Sequence, residues 1–347
     1  MDRAAGDERP KSRAPANIRD VARLAGVSPA TVSRVIRVSD YPVKTETRQR
    51  VLDAAAQLHF YPNDLARGLF GERTNTIGVL VPDASNPYYP EILRGVERVA
   101  FEHRIAVIFC NVDHQADRQR YYLDVLMQRR VDGLIGVGGD YDYRSSQEAL
   151  ERMSMRLVLI GRHDELDYPT VETPDAEGGE RATRHLIDLG HRDIAFVTGS
   201  ETSLASQDRL TGYRRALEAA GLPVRPELIV KGDYQESSGY ARTRELLDIP
   251  RPPSAIVAAN DRMALGVMAA AWDLGAEVPG ALSVVGFDNI ASSKYVRPSL
   301  TTVESPGHHA GEKAMELMLG LIDGVDVPRR TVMPCELIVR GSTGPRR

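Results

Sequence analysis

Residues 17–36 read NIRDVARLAGVSPATVSRVI, and their punctuation decides how the chain begins. Asn17 can cap a helix through its side-chain oxygen, and Asp20 can return the bond, a short form of the capping box. Ile18, Val21, Ala22 and Ala25 then recur at helical spacing and share one face. Gly26 suits the left-handed residue that ends a helix. Ser28 is a good N-cap, and Pro29 falls at the first position of a second helix, where its missing N–H costs nothing. Val32 and Val35 face back inward, which leaves Ala30, Thr31, Ser33 and Arg34 toward solvent or a ligand. Two short helices crossing steeply at Gly26, with the small Ala22 permitting close approach, make a helix-turn-helix. A core hairpin would have no use for an outward face of hydroxyls and a guanidinium, whereas base edges in a major groove would. A third helix over 45–58, TETRQRVLDAAAQL, with Val51, Leu52, Ala55 and Leu58 inward, completes a three-helix head.

Charge is distributed unevenly about this head. Between Asn17 and Arg73 nine basic residues stand against six acidic ones, near +3, on a chain whose formal net charge is −4. That excess is an electrostatic hint of phosphate contact. At 347 residues two or three domains are expected, and 42% apolar with 27% charged residues predicts a soluble chain with a real core. No run of about 18 apolar residues occurs, so no membrane span is expected. Residues 1–16, MDRAAGDERPKSRAPA, lack the apolar stretch of a secretory signal and read as a disordered arm. Cys110 and Cys335 lie in strand-like apolar runs and read as buried reduced thiols, in keeping with a cytoplasmic protein.

From Thr76 onward apolar strands alternate with amphipathic helices. TIGVLVPD, IAVIFCNV, GLIGVGG and RLVLIG are separated by helices near 90–103 and 117–130, with another near 145–154. DIAFVTG, LIVKGDY, AIVAAN and LSVVGFD form a second series, with helices near 177–190, 207–221, 235–249 and 261–275. Continuous Val, Ile and Leu strands between helices mean parallel sheets covered on both faces, here as two doubly wound α/β lobes. Ligands of such sheets bind beyond the strand carboxyl ends, so a cleft between the lobes is expected. The residues just past those ends are Asn86, Tyr88 and Tyr89, then Arg162, Arg209, Tyr234, Asp261 and Asp288. Rings that stack and charged groups that make directional hydrogen bonds suit a polyhydroxylated or planar ligand. Asp261, which opens a helix, could equally serve as a cap.

IRDVARLAGVSPATVSRVI, ETRQRVLDAAAQLHFYPNDLARGL and TIGVLVPDASNPYYPEILRGVE occur in this order. LIDLGHRDIAFVTGS, DRLTGYRRAL, ANDRMALG, SVVGFDN and SLTTVESP follow them. Together they resemble the lac repressor (LacI) family of bacterial transcription regulators over residues 17–342. The resemblance implies a DNA-binding domain over 17–62, a hinge helix and linker over 63–75, and a periplasmic-binding-protein-like core over 76–343. The helix at 307–322 would return to the first lobe. It implies a hinge over Asn63–Phe70 whose Leu69 wedges into the minor groove and kinks the duplex. The DNA-facing set is then Asn17, Ser28, Pro29, Ala30, Thr31, Ser33, Arg34, Arg37, Asn63, Arg67 and Leu69. Positions matching Tyr88, Arg209, Tyr234 and Asp288 are ligand contacts in that family. Three departures stand out: Arg37-Val38 in place of Asn-Gly, LHF in place of LGY, and TPDAEGG at 173–179 in place of Asp-Asn before the glycines.

Other features lead elsewhere and stop. GVGGD at 136–140 does not meet the three-glycine dinucleotide fingerprint. His308-His309 is not a metal pair, because neighbours on a helix point apart. Trp272, on an apolar helix, is expected to pack inside. No Walker loop, Gly-x-Ser-x-Gly elbow or paired cysteine set occurs, so neither catalysis nor a cofactor is expected. The expectation is a ligand-responsive DNA-binding regulator, a repressor acting as a homodimer on a palindromic operator. Its effector is expected to be a sugar or sugar derivative, with a nucleobase or nucleoside second. A solute-binding protein of a sugar transport system is the alternative that the core alone would allow.

Overall fold

A computed structural model describes residues 16–36, 43–60, 73–138, 148, 150, 151, 154–163 and 166–346. Two compact units divide the chain, residues 1–72 and 73–347. Arg37, Asn63, Arg67 and Leu69 lie outside the described residues, as does most of the helix expected near 145–154.

In the first unit, α1 (Ile18–Ala25), α2 (Pro29–Ile36) and α3 (Thr45–Gln57) enclose a small core. The Asn17 side-chain oxygen accepts from the amides of Arg19 and Asp20 at 2.9 and 3.3 Å. The Asn17 amide in turn donates to the Asp20 carboxylate at 3.1 Å, so amides orphaned at the start of α1 are satisfied reciprocally. Gly26 takes φ +65°, the left-handed conformation that lets the chain turn into α2. Val21, Val32 and Val51 are wholly buried, with Ala22, Ala25, Val35 and Ala54 around them. Leu52 departs from expectation and is 45% exposed. The inward stripe of α3 runs through Val51, Ala54, Ala55 and Leu58, and Leu52 lies about 100° round from it.

The second unit begins with β1 (Thr76–Val81), α4 (Tyr88–Glu102), β2 (Ala106–Asn111), α5 (Ala116–Gln128), β3 (Gly133–Val137), β4 (Leu157–Ile160) and β5 (Thr170–Glu172). The chain then crosses to a second lobe. This holds α6 (Asp175–Asp188), β6 (Ile194–Val197), α7 (Leu204–Ala219), β7 (Ile229–Val230), α8 (Glu236–Leu247), β8 (Ala255–Ala258), α9 (Asp261–Asp273), β9 (Ser283–Asp288) and β10 (Thr301–Glu304). It returns as α10 (Gly307–Asp323) and β11 (Arg330–Val332), then crosses a third time into β12 (Glu336–Ile338). The two sheets run β11-β5-β4-β3-β1-β2 and β12-β10-β9-β8-β6-β7.

The pairings are parallel except β10 with β12. Glu304 ends β10 where the chain leaves the lobe, and Glu336, its partner in register, starts β12 where the chain re-enters. A strand that enters at the crossing must run away from it, so β12 is antiparallel. Strands such as Val284, Val285 and Phe287 of β9 are buried on both faces, as parallel sheets under helices require.

Helix pairing in the first lobe depends on absent side chains. A Cβ on Gly95 would stand 2.0 Å from the His308 carbonyl, and one on Gly311 would stand 2.1 Å from that of Ile92. Bare backbone on both sides lets α4 and α10 approach closely. Trp272 is not packed inside: it is 84% exposed, on the face of α9 turned away from the sheet. The inner face of α9 is filled by Met263, Ala264, Val267 and Ala271, small and medium side chains that leave no room for an indole. Cys110 and Cys335 are buried free thiols, and burial pushes the Cys335 thiol up to about 11. Among the described residues no helix is long and apolar enough to cross a membrane.

Candidate functional site

Strand ends build the site. Pro82 beyond β1, Gly138 beyond β3, Gly161 and Arg162 beyond β4 and Thr173 beyond β5 face Asp288, Ser203, Tyr234 and Ser305 of the second lobe across one cleft. The cavity between them is small, about 80 Å³. Asn86, Tyr88, Tyr89, Arg162, Arg209, Tyr234 and Asp288, all named from the sequence, line it together.

Arg209 is the centre of charge. Its Nε donates to Asp175 Oδ1 at 2.7 Å and its Nη1 to the Ala259 carbonyl. Nη1 stands 3.7 Å from Asp288 Oδ1, and the guanidinium lies 3.6 Å above the Phe287 ring. Burial works against its charge, but Asp175 and Asp288 more than offset that and hold it protonated. Burial pushes the Asp175 carboxyl up, with Arg209 pulling the other way. Burial also lifts Asp288 to about 7, opposed by Arg209 and reinforced by Asp175.

Each side chain is held by its own element. Asn86 accepts from the Tyr88 amide at 3.0 Å and starts α4. The buried Tyr88 hydroxyl pairs with Ser305 at 2.9 Å, and Thr173 reaches the same serine at 3.1 Å, so two crossing strands are pinned beside the cleft. Burial pushes the Tyr88 phenol up to about 12. Tyr89 packs edge-on against Tyr88, ring centres 5.5 Å apart. Arg162 Nε lies 3.2 Å from Asp208. Tyr234 takes φ +68°; its hydroxyl pairs with Ser203 at 2.7 Å, and its carbonyl accepts from Asn260 at 3.1 Å. Its ring covers Gly199, where a Cβ would fall 2.1 Å from it. Asp288 takes φ +108° and Asn289 φ +55°, local strain of the kind that gathers at binding sites.

Asp261 is a correction. It is 0% exposed and does not line the cleft. One carboxylate oxygen accepts from the Thr302 hydroxyl and the other from the Ile290 amide, so it braces the turn after Asp288 from behind. Helix-opening position alone could not separate a brace from a ligand contact. Asp175, Thr173, Ser203 and Ser305 were missed. Asp175 and Ser305 follow β5 and β10 by the same rule that selected Arg162 and Asp288, and the departure at TPDAEGG marked the place.

On the head, Ala30 and Arg34 are exposed, and Ser33 is half-buried beside them. Ser28 accepts from the Thr31 amide at 3.1 Å and its hydroxyl pairs with that of Thr31 at 2.9 Å, so both hydroxyls take part in the cap of α2. Exposed Asn17 and Pro29 flank the same region. His308 and His309 do not point apart: His308 Nε2 and His309 Nδ1 each lie 3.0 Å from a Glu312 carboxylate oxygen, four and three residues on. Among the described residues no group of three or more His, Cys, Asp or Glu is placed to hold a metal ion.

A helix-turn-helix unit joined to a two-lobed, cleft-bearing core defines a transcription regulator that responds to a small molecule. The chain belongs to the lacI family of bacterial regulatory proteins, whose family model matches residues 17–63. A periplasmic-binding-protein-like domain matches residues 183–343. Catabolite control protein A of Priestia megaterium is 38% identical over 329 residues, 94% of this chain and 98% of that protein. The lac repressor dimer bound to operator and the anti-inducer ONPF superposes with a TM-score of 0.85 at 28% identity, covering 95% of this chain and 99% of the other. The transcriptional regulator CelR–cellobiose complex gives 0.73 at 31% identity, covering 94% and 99%.

Proposed function

We propose that this protein is a repressor that binds a palindromic operator as a homodimer in the cytoplasm, and that its effector, a sugar or sugar derivative, occupies the cleft. The observation that carries the reading is the meeting of Tyr88, Arg209, Tyr234 and Asp288 in one cleft of a chain that also presents Arg34 on an exposed helix. In this reading the head spans 17–62, the hinge and linker 63–75 and the core 76–343. Cellobiose in the CelR complex supports a sugar, and the operator-bound lac repressor dimer supports both DNA and partner.

One recognition helix reads few bases, and two-fold symmetry doubles the contact at a fixed half-site spacing. The exposed Trp272, with Met268, Val278 and Pro298 beside it, offers the apolar surface that a second copy would cover. Effector binding would bias the lobes toward one relative position and alter the fit of two heads to DNA. Footprinting on the protein's own promoter region at moderate salt tests this. A symmetric protected site that changes with a sugar found by thermal-shift screening is expected; no protected palindrome with or without ligand overturns it.

A further inference from the structure

Taking the cleft as the effector site, we infer that it selects against anions: the pair Asp175 and Asp288 makes it a site for a neutral or positively charged, donor-rich ligand, such as a polyol or amino-polyol. Phosphorylated sugars and sugar acids are excluded.

The reason is a count of charges and donors at named atoms. Asp175 and Asp288 both line the cleft with side chains 9% and 5% exposed. Between them stands one arginine, whose Nε donates to Asp175 at 2.7 Å and whose Nη1 donates one hydrogen to the Ala259 carbonyl, while Nη2 carries two further donors. The 3.7 Å from Nη1 to Asp288 is beyond a hydrogen bond. Among the described residues none donates to the Asp288 carboxylate, which remains open to the cleft. Arg162, the other cation on the wall, has Asp208 at 3.2 Å.

The hydroxyls satisfy one another, Ser203 with Tyr234 and Ser305 with Tyr88 and Thr173. What the cleft lacks is a donor aimed at Asp288. A ligand hydroxyl or ammonium supplies it; a phosphate or carboxylate would set like charges together in a poorly solvated space. Burial lifts Asp288 to about 7, so the charge count applies above that pH, and the test is run at pH 8. Asp175 sets the selectivity, because without its charge Arg209 would be left to Asp288 and the surplus would vanish.

The test uses the full chain with inorganic phosphate as probe, read as the change in Tm against chloride at equal ionic strength. Wild type should show no phosphate-dependent rise. The double variant Asp175→Asn with Asp288→Asn, which leaves Arg209 uncompensated, should gain about 2–4 °C at phosphate well above its Kd. If the double variant does not unfold cooperatively, Asp288→Asn alone decides, with a smaller gain of the same sign. A phosphate-dependent rise in wild type that disappears in Arg209→Lys overturns the inference, as does the absence of any gain in a folded variant. Operator binding is recorded on the same samples. Its loss alongside the expected phosphate pattern would count against the regulator reading and leave the charge selectivity standing.

Discussion

Asp83 of the first lobe accepts a hydrogen bond from Arg262 Nη1 of the second at 3.1 Å, and the same oxygen accepts from Gln235 at 3.2 Å. Arg262 is also held by Glu236 of its own lobe, at 2.6 and 2.8 Å, so a presented arginine meets Asp83 across the cleft. Burial works to raise the Asp83 carboxyl, but donors from Ser85, Gln235 and Arg262 hold it below its usual range. The charges are only 11% and 13% exposed, which screens the pair less than a surface bridge.

Asp83→Ala should therefore loosen the lobes. The expected result is a larger radius of gyration in solution scattering and a loss of roughly 1 kcal/mol in stability. A double-mutant cycle with Arg262→Ala should give a coupling on the order of 0.5–3 kcal/mol. An unchanged radius together with additive effects would mean the link does not govern closure.

Stability should depend on pH through Asp288. Its ordinary value is 3.8 and its folded value about 7, so between these the folded chain holds a proton that the unfolded chain has released. Stability contributed by that proton is present at low pH and is lost as pH rises through about 7. Each tenfold of proton affinity corresponds to roughly 1.4 kcal/mol. Asp288→Asn removes this dependence and should make the ligand-free core more stable than wild type at pH 8, while weakening ligand binding. Urea unfolding across pH 5–8 measures it; parallel curves for the two proteins would refute it.

Behind the cleft, Asp261→Ala should cost more than Asp261→Asn. Alanine leaves the Ile290 amide without an acceptor, at about 1–3 kcal/mol, and leaves the Thr302 hydroxyl only the long 3.4 Å bond to the Val303 carbonyl. Asparagine keeps one oxygen for the amide and donates to the threonine. Thermal unfolding ranks the variants. The alanine variant should also weaken ligand binding, because the turn carrying Asp288 loses its brace.

Two arginines should separate the two activities. Arg34→Ala is expected to relax base preference at one position of each half-site, worth about 1–3 kcal/mol of discrimination. Arg209→Lys keeps the buried charge but loses the fork, so operator binding should persist while the ligand response falls. Operator titrations with and without ligand check both. Loss of operator binding in a folded Arg209→Lys protein would show that the roles are wrongly divided.

The sequence by itself determined the helix-turn-helix, because caps, the left-handed turn and the inward stripe are local: Asn17, Asp20, Gly26 and Ser28 act on residues two to four positions away. It also determined the alternation of strands and helices, and hence which loops end at a cleft. Only the tertiary structure decided which of those loop residues face inward. Asp261 and Asp288 read alike as acids after buried strands, and only the packing of β9 and β10 turns one against Thr302 and leaves the other at the cleft. Asp175 obeys the strand-end rule, but its pairing with Arg209, 34 positions away, shows only in the fold. Trp272 lies outside because the inner face of α9 was already filled. Charge balance and burial are sums over residues far apart in the chain, and no local pattern contains such a sum.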